Sequence, residues 1–169
     1  MEKTEVRKEE NRRLCSLYPF LVPYNRFSGI KITEAKNGGY WPKEPDKIPE
    51  YDYEYTELDD MPQGWRKAFG EQMCKEIYNA LNRRGGALAV NLYQIREIKE
   101  KFGELRWYDF NGNLETDAII SKYEDISSRT CIVCGKPATK ISKGWISPYC
   151  DHCAKVLGKK GTKFKSIEG

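Results

Sequence analysis

The chain has 169 residues, near the length of one ordinary domain, and its 39% hydrophobic content suffices for one core with little apolar surface to spare. A mean hydropathy of −0.75 and a longest mid-chain apolar run of only Ala87 to Val90 exclude a membrane-spanning helix. The net charge of +4 describes neither half of the molecule: residues 1–127 carry 20 Lys+Arg against 23 Asp+Glu, net −3, whereas residues 128–169 carry 9 against 2, net +7.

The first ten residues, Met1 to Glu10, hold no apolar core of the signal-peptide kind and no lipidation motif, so a reducing cytosol is the expected compartment. There, six cysteines read as metal ligands or free thiols before they read as disulfides. The single histidine is His152.

In chain order, residues 4–17 are rich in charge and helix formers, with Val6, Leu14 and Leu17 as a thin apolar side, and Pro19 ends the segment. Tyr18 to Tyr24, punctuated by two prolines, reads as an extended or turning stretch packed on the core. Lys36 to Pro42 reads as a loop. Tyr51, Tyr53 and Tyr55 then alternate with Asp52, Glu54 and Thr56, the period of a strand with one acidic face. Glu44, Asp46, Glu50, Glu57, Asp59 and Asp60 extend that acidity against the single Lys47. The acids suit a solvated sheet face before a helix whose N-terminal dipole welcomes Asp59 and Asp60; they also suit a partner-binding surface made of Asp52, Glu54, Glu57 and Asp59.

Trp65, Phe69, Met73, Ile77 and Leu81 recur every four residues, with Ala68 and Ala80 alongside, and predict a helix from Pro62 to a stop at Gly85-Gly86. Cys74 lies in this helix and Cys15 in the first, positions of inert thiols rather than nucleophiles. Ala87 to Ile98 and Glu104 to Phe110 predict a β-hairpin with Gly103 at its turn. A helical stripe of Leu92, Ile95, Ile98, Phe102 and Leu105 is the rival, disfavoured by Gly103 and by Trp107-Tyr108. A helix capped by Asn113 follows, carrying Leu114, Ile119, Tyr123 and Ile126.

The most specific signal comes next. Cys131 and Cys134 flank two residues before Gly135, and fifteen residues later Cys150 and Cys153 repeat the spacing. Two thiolates from each of two tight turns complete a tetrahedron, the zinc-ribbon type of site. The intervening residues suit a hairpin with Gly144 at the turn and Ile141, Trp145 and Ile146 as apolar contacts. His152, wedged between Cys150 and Cys153, is badly placed to join the same ion and reads as solvent-facing or as a partner to a ligand. Four thiolates leave no position open for water, so one structural zinc per chain is expected, and without it the C-terminal region should unfold. Sulfur ligands would also accept cadmium, cobalt or iron.

The run Ile98-Lys99-Glu100-Lys101-Phe102-Gly103, closing on Leu105-Arg106-Trp107-Tyr108, then Ser128-Arg129-Thr130-Cys131, Cys134-Gly135, Gly144-Trp145 and Cys150 to Cys153, resembles small bacterial and phage proteins without an assigned activity. The resemblance covers about residues 90–153. It implies a shared hairpin, helix and zinc-knuckle unit and an origin in a phage or prophage, hence the cytoplasm of a bacterial host, and no activity.

The expected architecture is α+β: a small antiparallel sheet packed with helices over 1–127, and a zinc ribbon with a basic tail over 128–169. No phosphate loop, histidine pair or nucleophile elbow is present, so binding rather than catalysis is expected, with no small-molecule substrate. One reading is an accessory protein that binds a host protein or nucleoprotein complex, its acidic strand mimicking phosphates to block a defence nuclease. The alternative is nucleic-acid binding by the basic ribbon: Lys136, Lys140, Lys143, Lys155, Lys159 and Lys160, with Lys163 and Lys165, on phosphates, and Trp145 and Tyr149 stacking on bases. A solvated lysine tail on a ribbon that only completes the fold accounts for the same residues.

Overall fold

A computed structural model of the chain describes residues 3–26, 28–33 and 51–167. The expected loop at 36–42 and the acids Glu44, Asp46 and Glu50 lie outside the described residues. The fold is α+β, and it forms two compact units, residues 1–57 and 58–169. The boundary expected near residue 127 falls inside the second unit.

The first unit begins with α1 (Lys3–Leu17). Val6 and Leu17 are exposed, and the buried face is instead Asn11, Leu14 and Cys15, continued by Tyr18, the i, i+3, i+4, i+7 stripe of a helix side. Burial of Asn11 is offset by its side-chain N–H donating to Tyr53 O at 2.8 Å. A short 3-10 turn, Pro19–Leu21, buries Phe20 and Leu21, as the proline-punctuated apolar stretch suggested.

The strand expected over 51–56 does not form. Tyr53 sits at φ 64, and the Asp52 carboxylate accepts the Glu54 backbone N–H at 3.0 Å, a local turn that competes with extended pairing. The Tyr51 and Tyr53 rings lie 4.5 Å apart, and the Tyr51 hydroxyl donates to Tyr55 O at 2.6 Å. Alternation of tyrosine and acid here records ring stacking around a turn, with no sheet face behind it.

In the second unit a 3-10 turn spanning the boundary (Glu57–Asp60) leads into α2 (Gln63–Trp65), a π turn (Arg66–Gly70) and α3 (Glu71–Leu92). The five residues spaced by four are all buried: Trp65, Phe69, Met73, Ile77 and Leu81. In an α-helix four residues overshoot a full turn by about 40°, so an unbroken α-helix would carry this stripe off the core. The wider π turn recovers part of that drift at Arg66–Gly70. Ala68, expected on the same side, is exposed. Gly86 leaves the helical conformation (φ 60, ψ −155), so the first helical run stops there as expected, and a second short run follows it to Leu92 because Ala87, Leu88, Ala89 and Leu92 are good helix formers. The first six residues of the expected strand are therefore helical.

The hairpin forms from β1 (Gln94–Lys101) and β2 (Glu104–Phe110), antiparallel, with Lys101 opposite Glu104 and a bulge between Ile95 and Glu97. Gly103 supplies the expected positive φ of 84, and Phe102, at φ 55, supplies a second. Asn113 caps α4 (Leu114–Ser128), its side chain accepting from Glu115 and Thr116 N–H while Thr116 Oγ1 accepts from Asn113 N–H at 2.7 Å. The buried face of α4 is Thr116, Ile120, Tyr123 and Ser127; Leu114 is 89% exposed and is no core residue. Ser127 is buried because its hydroxyl accepts the Leu105 N–H at 2.7 Å, tying the end of α4 to β2. Phe69 stacks on Tyr123 at 5.2 Å, joining the π turn to α4.

The C-terminal segment is a three-stranded antiparallel sheet, β3 (Lys140–Ser142), β4 (Pro148–Tyr149) and β5 (Phe164–Ser166), in the order β4-β3-β5. The helix α5 (Asp151–Gly158) lies between β4 and β5 in sequence. The β3–β4 hairpin matches expectation and turns at Gly144, φ 90; β5 and α5 extend it.

Candidate metal centre

Cys131 and Cys134 stand on the turn that follows α4, and Cys150 and Cys153 on the start of α5. The first turn is closed by Gly135 N–H donating to Cys131 O at 2.9 Å and Cys131 N–H donating to Lys136 O at 2.8 Å. Gly135 takes the left-handed conformation, φ 78. On the second turn Cys150 is the N-cap of α5, its sulfur accepting the Cys153 N–H at 3.5 Å.

These turns bring the four sulfurs within 4.8 Å of one another. All four cysteines are free thiols, and Cys134 Sγ and Cys150 Sγ lie 3.6 Å apart. Cys131, Cys150 and Cys153 are buried, with Cys134 and Tyr149 packed against them. Four converging sulfurs without a disulfide can hold a metal ion. His152 is exposed on α5, outside this cluster.

The thiols are held unequally. Burial raises the Cys131 thiol, but backbone N–H groups of Cys150, Cys134 and Val133 outweigh it and bring it down to about 7. The Cys153 thiol is pushed up by burial and by its bonds to the neighbouring sulfurs. Four thiolates in this space require a cation.

Sequence reasoning missed how the centre is anchored. The backbone of α2 abuts the cysteine turn: Gly64 N–H donates to Ile132 O at 2.9 Å, and the buried Trp65 indole donates to Thr130 O at 2.8 Å. A Cβ on Gly64 would stand 2.2 Å from Cys131 O, and one on Gly135 would stand 2.6 Å from Gly64 O. Two glycines 71 residues apart in sequence therefore permit one backbone contact. Only the Gly135 half carried a recognisable signal, through its place after Cys-x-x-Cys; nothing local marks Gly64.

The basic candidates gather on the same segment. Lys136, Lys143, Lys155, Lys159, Lys160, Lys163 and Lys165 are exposed and pair with no carboxylate among the described residues. Lys140 is half-buried and donates to Ser166 Oγ at 2.9 Å. Trp145 is 78% exposed and Tyr149 is half-buried against the edge of Phe164 at 5.3 Å. Of the expected apolar contacts in the ribbon, Ile141 is half-buried, whereas Trp145 and Ile146 face solvent.

Three of the four acidic candidates, Asp52, Glu57 and Asp59, are taken up in ion pairs, which corrects their reading as a free acidic surface. Glu57 is 2% exposed and bound to Arg26 at 2.6 Å. Asp59 and Arg66 are half-buried and paired at 2.8 Å. Asp52 bonds Lys8 at 2.8 Å, which with the Glu54 backbone N–H holds its carboxyl below the usual range. Glu54 remains exposed. No strand aligns these groups.

No helix among the described residues is long and apolar enough to cross a membrane. No protein-family model, no curated protein and no solved structure matches the chain.

Proposed function

We propose that the protein is a nucleic-acid-binding protein without catalytic function, whose four cysteines hold one structural zinc ion and thereby set out a basic surface. Zinc is favoured because four thiolates in two Cys-x-x-Cys turns give the closed tetrahedral set that suits it and leave no position for a substrate or water. The observation that carries the binding reading is the group of seven exposed lysines around that centre with no carboxylate partner among the described residues. A solvated surface ordinarily mixes the two signs. One-signed charge raises the local concentration of a polyanion and the rate of encounter with it. The rival reading, phosphate mimicry by an acidic strand, loses support with Glu57 and Asp59 committed to internal ion pairs.

The test is a fluorescence-anisotropy titration of labelled oligonucleotides against the metal-loaded protein over a range of salt. Affinity should fall linearly with salt on a log–log plot, by about 0.7 to 0.9 in slope per phosphate contacted. Lys143→Glu/Lys160→Glu/Lys163→Glu should flatten that slope and weaken binding to all sequences alike. Absence of binding at low salt contradicts the reading.

A further inference from the structure

One surface of the ribbon combines a cavity, cations with no carboxylate partner among the described residues and an open aromatic ring. A groove of about 660 Å³ runs between the β3–β4 turn and the segment before β5, lined among others by Lys143, Trp145, Tyr149, Lys160, Gly161 and Lys163. Its volume falls within the range of small-ligand sites, and it is wide rather than enclosed. Lys143 and Lys163 are fixed opposite each other by a backbone bond, Lys143 N–H to Lys163 O at 2.8 Å. Gly144 and Gly161, both in the left-handed conformation at φ 90 and 96, meet nothing within 4 Å when a Cβ is added. Open space therefore lies over both turns.

Trp145 is the unusual member. An indole left 78% exposed forfeits the burial that would stabilise it by a few kcal/mol, yet this one is not loose. Its only polar atom donates to Glu100 Oε2 at 2.9 Å, and Glu100 in turn accepts the Gly103 N–H at 2.6 Å through its other oxygen. The hairpin turn thus orients the ring from one edge while its surface stays available. An oriented aromatic ring beside unpaired ammonium groups matches a base followed by its phosphates.

A base stacked inside a duplex offers no free face, so Trp145 can be used only by an unpaired base. We infer that the Trp145 groove binds single-stranded nucleic acid, one base stacking on the indole while Lys143, Lys160 and Lys163 take the flanking phosphates. This rests on the nucleic-acid reading above and narrows it to a substrate class and a subsite. Glu100 is a positioning residue: it touches the indole N–H and no part of the ligand.

The experiment uses the full metal-loaded chain and labelled oligomers of about 15 nucleotides, a length covering one such site: oligodeoxythymidine, oligouridine and a mixed-sequence duplex. Trp145→Ala should weaken the single strands roughly 5- to 150-fold, the equivalent of losing one stacked base, and leave the duplex unchanged. Trp145→Phe keeps a ring and should restore part of the loss. Glu100→Gln, which keeps a carbonyl acceptor, should bind like the parent, and Glu100→Ala should fall between parent and Trp145→Ala. Intrinsic fluorescence should be quenched by single strands in the parent and not in Trp145→Phe. The tighter of the two single strands identifies the natural source, and either supports the inference. Equal losses on duplex and single strand, or none on single strands, overturn the subsite while leaving salt-dependent binding standing. No binding of any oligomer overturns the broader reading instead.

Discussion

At Gly64 a hydrogen atom occupies the place where any side chain would meet the backbone of Cys131 and Ile132. Gly64→Ala should cost about 2–3 kcal/mol, since backbone on backbone has no rotamer through which to yield, and Gly135→Ala should cost more, because its φ of 78 adds the conformational cost of a left-handed residue to the collision. Gly144→Ala tests the distinction between strain and collision. Its φ of 90 is equally left-handed, but no atom lies within 4 Å of an added Cβ, so only the conformational cost of about 1–2 kcal/mol applies. Denaturant midpoints of the three metal-loaded variants should rank accordingly, and a Gly144→Ala midpoint as low as that of Gly64→Ala would refute the close-approach account. Gly135 was legible in the sequence because a Cys-x-x-Cys-Gly turn needs a left-handed residue locally. Gly64 was not, because its constraint comes from residues that reach it only in the folded chain.

Among the elements, those fixed by neighbours along the chain were legible: the Asn113 cap, the hairpin at Gly103 and the every-fourth-residue stripe of Trp65 to Leu81 all stand where the sequence places them. Elements fixed by distant partners were not. Ser127 is buried for the sake of one bond to Leu105, which hydrophobicity cannot anticipate, and Leu114 is apolar yet 89% exposed. The acidic stretch after Tyr51 failed as a strand because its carboxylates had local N–H groups and distant cations to satisfy, and no edge to pair with. The β1–β2 hairpin carries its own test. Phe102 occupies the first position of a two-residue turn at φ 55 and is 71% exposed, so it has the strain of a left-handed residue without the recompense of burial. Phe102→Asn, the preferred residue before Gly in such a turn, should gain about 1 kcal/mol in thermal or denaturant unfolding. An unchanged or lowered stability would mean that the ring's contact with Lys101, at 5.6 Å, outweighs the backbone strain.

For the molecule as a whole, the net charge of +4 conceals a division of labour. Acids in the N-terminal part are drawn into ion pairs with Lys8, Arg26 and Arg66, whereas the exposed lysines of the last forty residues form no ion pair among the described residues. The cysteine turn is also the floor under Trp65, the first residue of the buried stripe. A metal ion at the cluster therefore acts on more than the ribbon: binding contributions at four-thiolate sites are on the order of 10–16 kcal/mol, comparable with the whole stability of a domain of this size. Chelation should loosen the hairpin-and-helix core of residues 58–169 together with the C-terminal strands. The decisive measurement is a chelator titration of protein of known metal content, followed by near-UV circular dichroism, which reports the fixed environments of Trp65 and Trp107. The account predicts about one metal ion per chain and a tryptophan signal that disappears in step with its removal. It is contradicted if the chain is isolated without metal and fully ordered, or if the ion can be withdrawn while the tryptophan signal persists.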